Sequence, residues 1–126
     1  MTETKCIFCG WANRALVGEN ALAAAFRDAF PVSEGHTLIV PKRHAVTFLD
    51  LTEEETGAIF ALARECAEAL RKGDASIGGF NFGANAGACA GQTVFHCHFH
   101  LIPRRDGDHP HPRGGVRAVI PGKAAY

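Results

Sequence analysis

Nine residues, "VFHCHFHLI" (94–102), limit what this chain can fold into more than any other stretch. Histidines stand at every second position, His96, His98 and His100, with Cys97 and Phe99 in the gaps. A helical period of about 3.6 residues would scatter these side chains, whereas an extended strand, with a period of two, sorts them onto two faces. The stretch therefore predicts a strand with Val94, His96, His98, His100 and Ile102 on one face. Phe95, Cys97, Phe99 and Leu101 form the opposite, core-facing row. The three imidazoles are then displayed in a line, with neighbours about 6.6–6.8 Å apart.

Other short segments rich in β-branched or aromatic residues, each bounded by Gly, Pro or Asn, read as strands: 14–19, 36–43 and 79–85. "ALAAAFRDAF" (21–30) has a composition that suits a helix, but "GEN" (18–20) is a plausible hairpin turn, and a strand paired with 14–19 is the preferred reading. One long helix is expected over 52–72. Thr52 and Glu55 have the spacing of a capping box, and Ile59, Leu62, Cys66 and Leu70 recur at helical intervals. Gly73 is placed to end it in a left-handed cap. Strands with a long helix between them indicate an α+β domain with a mainly antiparallel sheet. The 126 residues suit one domain (1–126), and the Gly-, Pro- and Arg-rich segment 104–126 reads as an arm rather than a second unit.

Thirteen basic and thirteen acidic residues cancel, which removes the whole-chain charge argument for binding nucleic acid or a membrane surface. No apolar run approaches the roughly 18 residues of a membrane span, and the N-terminal stretch lacks the pattern of a signal peptide. With five cysteines, an odd number, the expectation is reduced thiols and a cytoplasmic location. Cys6 and Cys9 form a C-x-x-C pair, which has the spacing of half a zinc site and equally that of two buried thiols.

Three chemistries compete for the histidine row: polar residues on an open sheet face, a metal site, or a phosphate site with a nucleophilic imidazole. All three histidines on one ion is awkward, because the outer two stand too far apart on a regular strand. An imidazole with a pKa near ~6.5 is largely uncharged at neutral pH and can attack phosphorus. The preceding "GANAGACAGQT" (83–93) favours the phosphate reading: its small residues let backbone N–H groups approach an anion, and it ends in the amide of Gln92 and the hydroxyl of Thr93.

With "GHTLIVPKRH" (35–44) and "NAGACAGQT" (85–93) in order before it, "QTVFHCHFHLIPR" resembles the signature of the histidine-triad (HIT) family over residues 6–103. "PRGGVR" (112–117) is similar to the tail of a bacterial subset described as diadenosine-polyphosphate hydrolases. The resemblance implies a five-stranded antiparallel sheet with one long helix and a short one, in a homodimer. It implies hydrolysis or transfer of nucleoside monophosphate groups, with dinucleoside polyphosphates as the leading substrates and purine nucleoside phosphoramidates as the alternative; a nucleotide-binding module without turnover is the alternative of another class. His98 is the implied nucleophile, with His36 beside it. His100 and Gln92 are implied partners of phosphoryl and leaving-group oxygens, Asn85 and Thr93 of phosphate, and Asp28 of the ribose. It further implies a structural zinc ion on Cys6, Cys9, His44 and His96, with no metal required for the chemistry. Arg104, Arg113 and Arg117 are the arm's candidates for additional phosphate contacts.

Overall fold

The structure, a computed structural model, describes residues 6–126. Five strands, β1 (Leu16–Glu19), β2 (Ala23–Arg27), β3 (Thr37–Pro41), β4 (Ile77–Gly83) and β5 (Phe99–Arg105), form one antiparallel sheet in the order β1-β2-β3-β5-β4. A single long helix, α1 (Glu53–Gly73), lies across it. The second, short helix is represented only by brief 3₁₀ turns, at Trp11–Asn13, Phe48–Asp50, Ala88–Ala90 and Gly115–Val119.

The alanine-rich segment is indeed a strand, and Asn20 explains why. Its side-chain oxygen accepts from the N–H groups of Leu22 and Ala23, its own N–H donates to the Ala23 carbonyl, and its amide donates to the Ala58 carbonyl of α1. The turn is thereby closed and tied to the helix, and Ala23–Ala25 become fully buried. Small side chains there let α1 approach closely.

Helix α1 starts as its sequence predicts. The Thr52 hydroxyl accepts from the Glu55 N–H, and the Glu55 carboxylate accepts from the Thr52 N–H. Glu55 also accepts from Arg43 Nε and Nη2, both at 2.8 Å, and this guanidinium holds its carboxyl down at about 2. The helix is thus joined to the segment that carries His44. Its other end differs from expectation: Gly73 is the last helical residue with no left-handed φ, and Asp74, in extended conformation, follows it.

The core between sheet and helix contains Ile39, Ile59, Leu62, Cys66, Cys97, Phe99 and Leu101. A smaller cluster on the opposite face holds Phe8, Phe26, Leu38 and Val40, with Trp11, Leu16 and Val94 packed against it. The histidine stretch is less regular than the alternation suggests. Residues 94–98 lie outside the sheet, the Cys97 N–H donates to the Ala45 carbonyl, and β5 begins only at Phe99. From Cys97 onward the two-face pattern holds, but Phe95 is half exposed rather than in the core. The segment after Arg105 forms turns, with the Arg113 and Arg117 guanidiniums 4.6 and 4.8 Å from the Tyr126 ring centroid. Among the described residues no helix is long and apolar enough to cross a membrane.

Candidate functional site

A cleft of about 600 Å³ opens on the sheet face away from α1, and it contains most of the expected site residues: Asp28, His36, Asn85, Thr93, His98 and His100. β5 contributes His100, the segment leading into it contributes His98, and His36 immediately precedes the paired strand β3. Gly91, at φ +97, turns the 85–93 loop so that Thr93 follows it into the cleft wall, and the Asn85 amide reaches back to the Gly91 carbonyl.

Hydrogen bonds assign a distinct protonation pattern to each imidazole. The Val32 N–H donates to His36 Nδ1 at 3.0 Å, so the His36 proton is on Nε2. From there it is donated to His100 Nδ1 at 2.9 Å. His100, neutral, then carries its own proton on Nε2. Burial, reinforced by the neighbouring His98 and His36, lowers the pKa of His100 to about 4. Burial likewise lowers that of His36, against the opposing pull of Asp28, whose Oδ2 is 3.5 Å from His36 Nε2. His98 is oriented differently. Its Nδ1–H donates to the His96 carbonyl at 2.7 Å, so that in the neutral ring the lone pair is on Nε2, as a nucleophile requires. Phe8 meets the His98 ring edge-on, with centroids 4.9 Å apart.

His96 faces away from the cleft. Its Nδ1 is 3.3 Å from Cys6 Sγ, 3.5 Å from Cys9 Sγ and 3.2 Å from His44 Nδ1, and Cys9 Sγ is 3.2 Å from His44 Nδ1. A tetrahedral ion with bonds of about 2.1 Å to nitrogen and 2.3 Å to sulfur has ligand-to-ligand edges of about 3.4–3.8 Å. The four donors therefore fit such an ion with little movement. The surroundings fit as well, because His96 Nε2–H donates to the Pro41 carbonyl at 2.9 Å and leaves Nδ1 as a neutral ligand.

Asp28, His36 and His100 also lie close enough together to suggest a metal. There, however, His36 already accepts at Nδ1 from an N–H, so offering Nε2 to an ion would require an imidazolate.

Gln92 is not brought to the cleft. It is 3% exposed; its amide nitrogen donates to the Val46 and Val94 carbonyls, and its oxygen accepts from the Gly87 N–H. Arg104, Arg113 and Arg117 are also absent from the cleft lining: Arg104 pairs with Asp108 and Asn81, and the other two stack on Tyr126. Conversely, Phe8, Arg14, Phe30, Val32 and Leu38 line the cleft without having been singled out from the sequence. Phe8 sits inside the C-x-x-C pair and Leu38 in the "GHTLIVP" block, so both were within reach; nothing local marks Arg14.

A protein of Mycoplasma genitalium described as an uncharacterized HIT-like protein is 44% identical over 107 residues, covering 82% of this chain and 75% of the relative. The adenosine 5'-monophosphoramidase of Schizosaccharomyces pombe is 36% identical over 103 residues, 79% of this chain and 74% of the relative. The crystal structure of a Zn-bound histidine-triad family protein from Mycobacterium smegmatis superposes with a TM-score of 0.75 at 36% identity, covering 82% of this chain and 77% of that one. Residues 11–107 match the HIT domain, and with the triad geometry described above, the chain belongs to the HIT family.

Proposed function

We propose that this protein hydrolyses a nucleoside 5'-phosphoryl compound at its α-phosphorus through a nucleotidyl-histidine intermediate on His98. One observation carries the reading: His98 lines the cleft with its Nδ1–H taken by the His96 carbonyl, which makes Nε2 the nitrogen left for phosphorus. In the first step His98 Nε2 bonds to phosphorus and the leaving group departs, taking a proton from solvent in the open cleft. In the second, water attacks phosphorus, the Nε2–P bond breaks, and the water's proton returns to solvent. His100, held neutral, donates from Nε2 to a phosphoryl oxygen as charge builds there, and His36 fixes its tautomer. Thr93 and Asn85 hold the phosphate, and Asp28 accepts from the ribose hydroxyls.

The leaving group separates two readings. A dinucleoside polyphosphate is the one suggested by the "PRGGVR" tail. A phosphoramidate is favoured by the Schizosaccharomyces pombe relative and by the tail arginines being stacked on Tyr126 rather than lining the cleft. We take the phosphoramidate as the principal substrate class.

Zinc is proposed as the structural ion of Cys6, Cys9, His44 and His96; bound there, it supplies a crosslink between the N-terminal segment and the triad and takes no part in the reaction. A homodimeric single-domain protein in the cytoplasm completes the reading.

The test is turnover of adenosine phosphoramidate against diadenosine polyphosphates by wild type and His98→Ala, with mass spectrometry of protein quenched during turnover. A nucleotidyl adduct on the His98 peptide is expected. Equal activity in the variant would refute the covalent route, and faster cleavage of the polyphosphates would reverse the choice of leaving group.

A further inference from the structure

The cleft lining is mixed in chemistry. His98, His100, Thr93, Asn85 and Gly91 supply its polar groups, while Phe8, Leu38 and Val94 belong to the apolar cluster built around Phe26 and form an apolar wall beside them. A nucleotide bound with its phosphate at His98 has this wall within reach of its base, a placement that rests on the function proposed above. Arg14 packs on that wall. It caps the 3₁₀ turn Trp11–Asn13, its backbone N–H donating to the Trp11 carbonyl, and its guanidinium carbon lies 4.5 Å from the Phe26 ring centroid and 5.2 Å from that of Phe8.

Two facts make this more than packing. Among the described residues, Arg14 is the only lysine or arginine in the cleft lining. Among the described residues it forms no ion pair with a carboxylate, and its one side-chain hydrogen bond is a long contact of 3.4 Å from Nη2 to the Ile7 carbonyl. Stacking on aromatic rings occupies the face of a guanidinium and leaves its in-plane N–H groups for an acceptor. The purines differ in what they offer such a group. Guanine presents two adjacent acceptors, O6 and N7, which match the guanidinium fork, whereas adenine presents N7 beside an N6 amino donor that opposes it.

We propose that Arg14 reads the nucleobase and biases this protein toward 6-oxopurine nucleotides, guanine above adenine. Lysine at this position would keep the charge and lose the fork.

The experiment is calorimetric binding of GMP and AMP to the full-length, metal-containing chain, in wild type, Arg14→Met and Arg14→Lys, with zinc content and the circular dichroism spectrum confirming that each variant is folded. Wild type is expected to bind GMP on the order of tenfold more tightly than AMP, the discrimination typical of one bidentate base contact. Both variants should bind the two nucleotides within about twofold of each other, a level well below that contact. Equal affinity in wild type, tighter AMP, or a preference that survives in Arg14→Met would each overturn the assignment. A gain on lengthening the phosphate chain from GMP to GTP that disappears in Arg14→Met, without base discrimination, would make Arg14 a phosphate ligand and also overturn it. Failure of both monophosphates to bind wild type would instead remove the nucleotide reading itself.

Discussion

A neutral His100 makes the fold sensitive to mild acid. Its pKa falls from 6.5 to about 4 because burial, with His98 and His36 adding to it, penalises the cation. The sign follows from linkage: the folded state favours the neutral ring, so this contribution is fully present above the unfolded pKa of 6.5 and is lost as pH falls through 4. At pH 5 the unfolded chain has bound nearly all of this proton and the folded chain little of it. The difference spans about 1.5 pH units at about 1.4 kcal/mol each, or about 2 kcal/mol, an upper bound for a ring that keeps some solvent contact. His100→Asn removes the titration while its side-chain oxygen still offers His36 Nε2–H an acceptor. Urea unfolding of both proteins, metal-loaded, at pH 7 and pH 5 gives the comparison. With m-values of about 1–3 kcal/mol per molar, the wild-type midpoint should fall by about 1 M more than that of the variant. Acid effects at the four-ligand cluster are common to both proteins and cancel. Equal losses would refute the neutral-histidine account.

Removing the proposed zinc ion should act on the cleft as well as on the N-terminal segment, because Ile7 and Phe8 lie between the two cysteines and His96 lends its carbonyl to His98. Calorimetry before and after chelation should show AMP affinity falling on the order of tenfold and returning with added zinc, and unchanged affinity would show the two centres to be independent. Gln92→Ala strips partners from the Val46 and Val94 carbonyls and the Gly87 N–H, at a cost of about 2–3 kcal/mol, with KM raised more than kcat is lowered. Stability within about 0.5 kcal/mol of wild type with a selective loss of kcat would instead place this amide on the substrate.

Local pattern carried much of this architecture. The Thr52–Glu55 box and the Ile59–Leu62–Cys66 stripe are short-range features, and the helix formed where they indicate. The two-residue period likewise held wherever strand pairing enforced it, from Phe99 on. It failed at Phe95 because the residues just after it answer to distant groups: His96 to Pro41 and the cysteines, and Cys97 to the Ala45 carbonyl. The division of the three histidines into separate roles was legible through family resemblance, whereas their tautomers were not, since each is set by a carbonyl or N–H far away in sequence or on a turn. Gln92 shows the same limit. An amide beside a glycine-rich loop can serve a ligand or the loop, and only the fold shows that in this structure it serves the loop.

The link from Cys6 to His96 spans 90 residues and that from His36 to His100 spans 64. The β1–β2 hairpin and α1, by contrast, close over short loops and face much smaller entropic barriers. Chemical competence should therefore be the last property this chain acquires. A refolding molecule that already has its helix and hairpin still lacks a held nucleophile until its N-terminal segment returns to the triad, so recovery of activity should lag behind recovery of secondary structure.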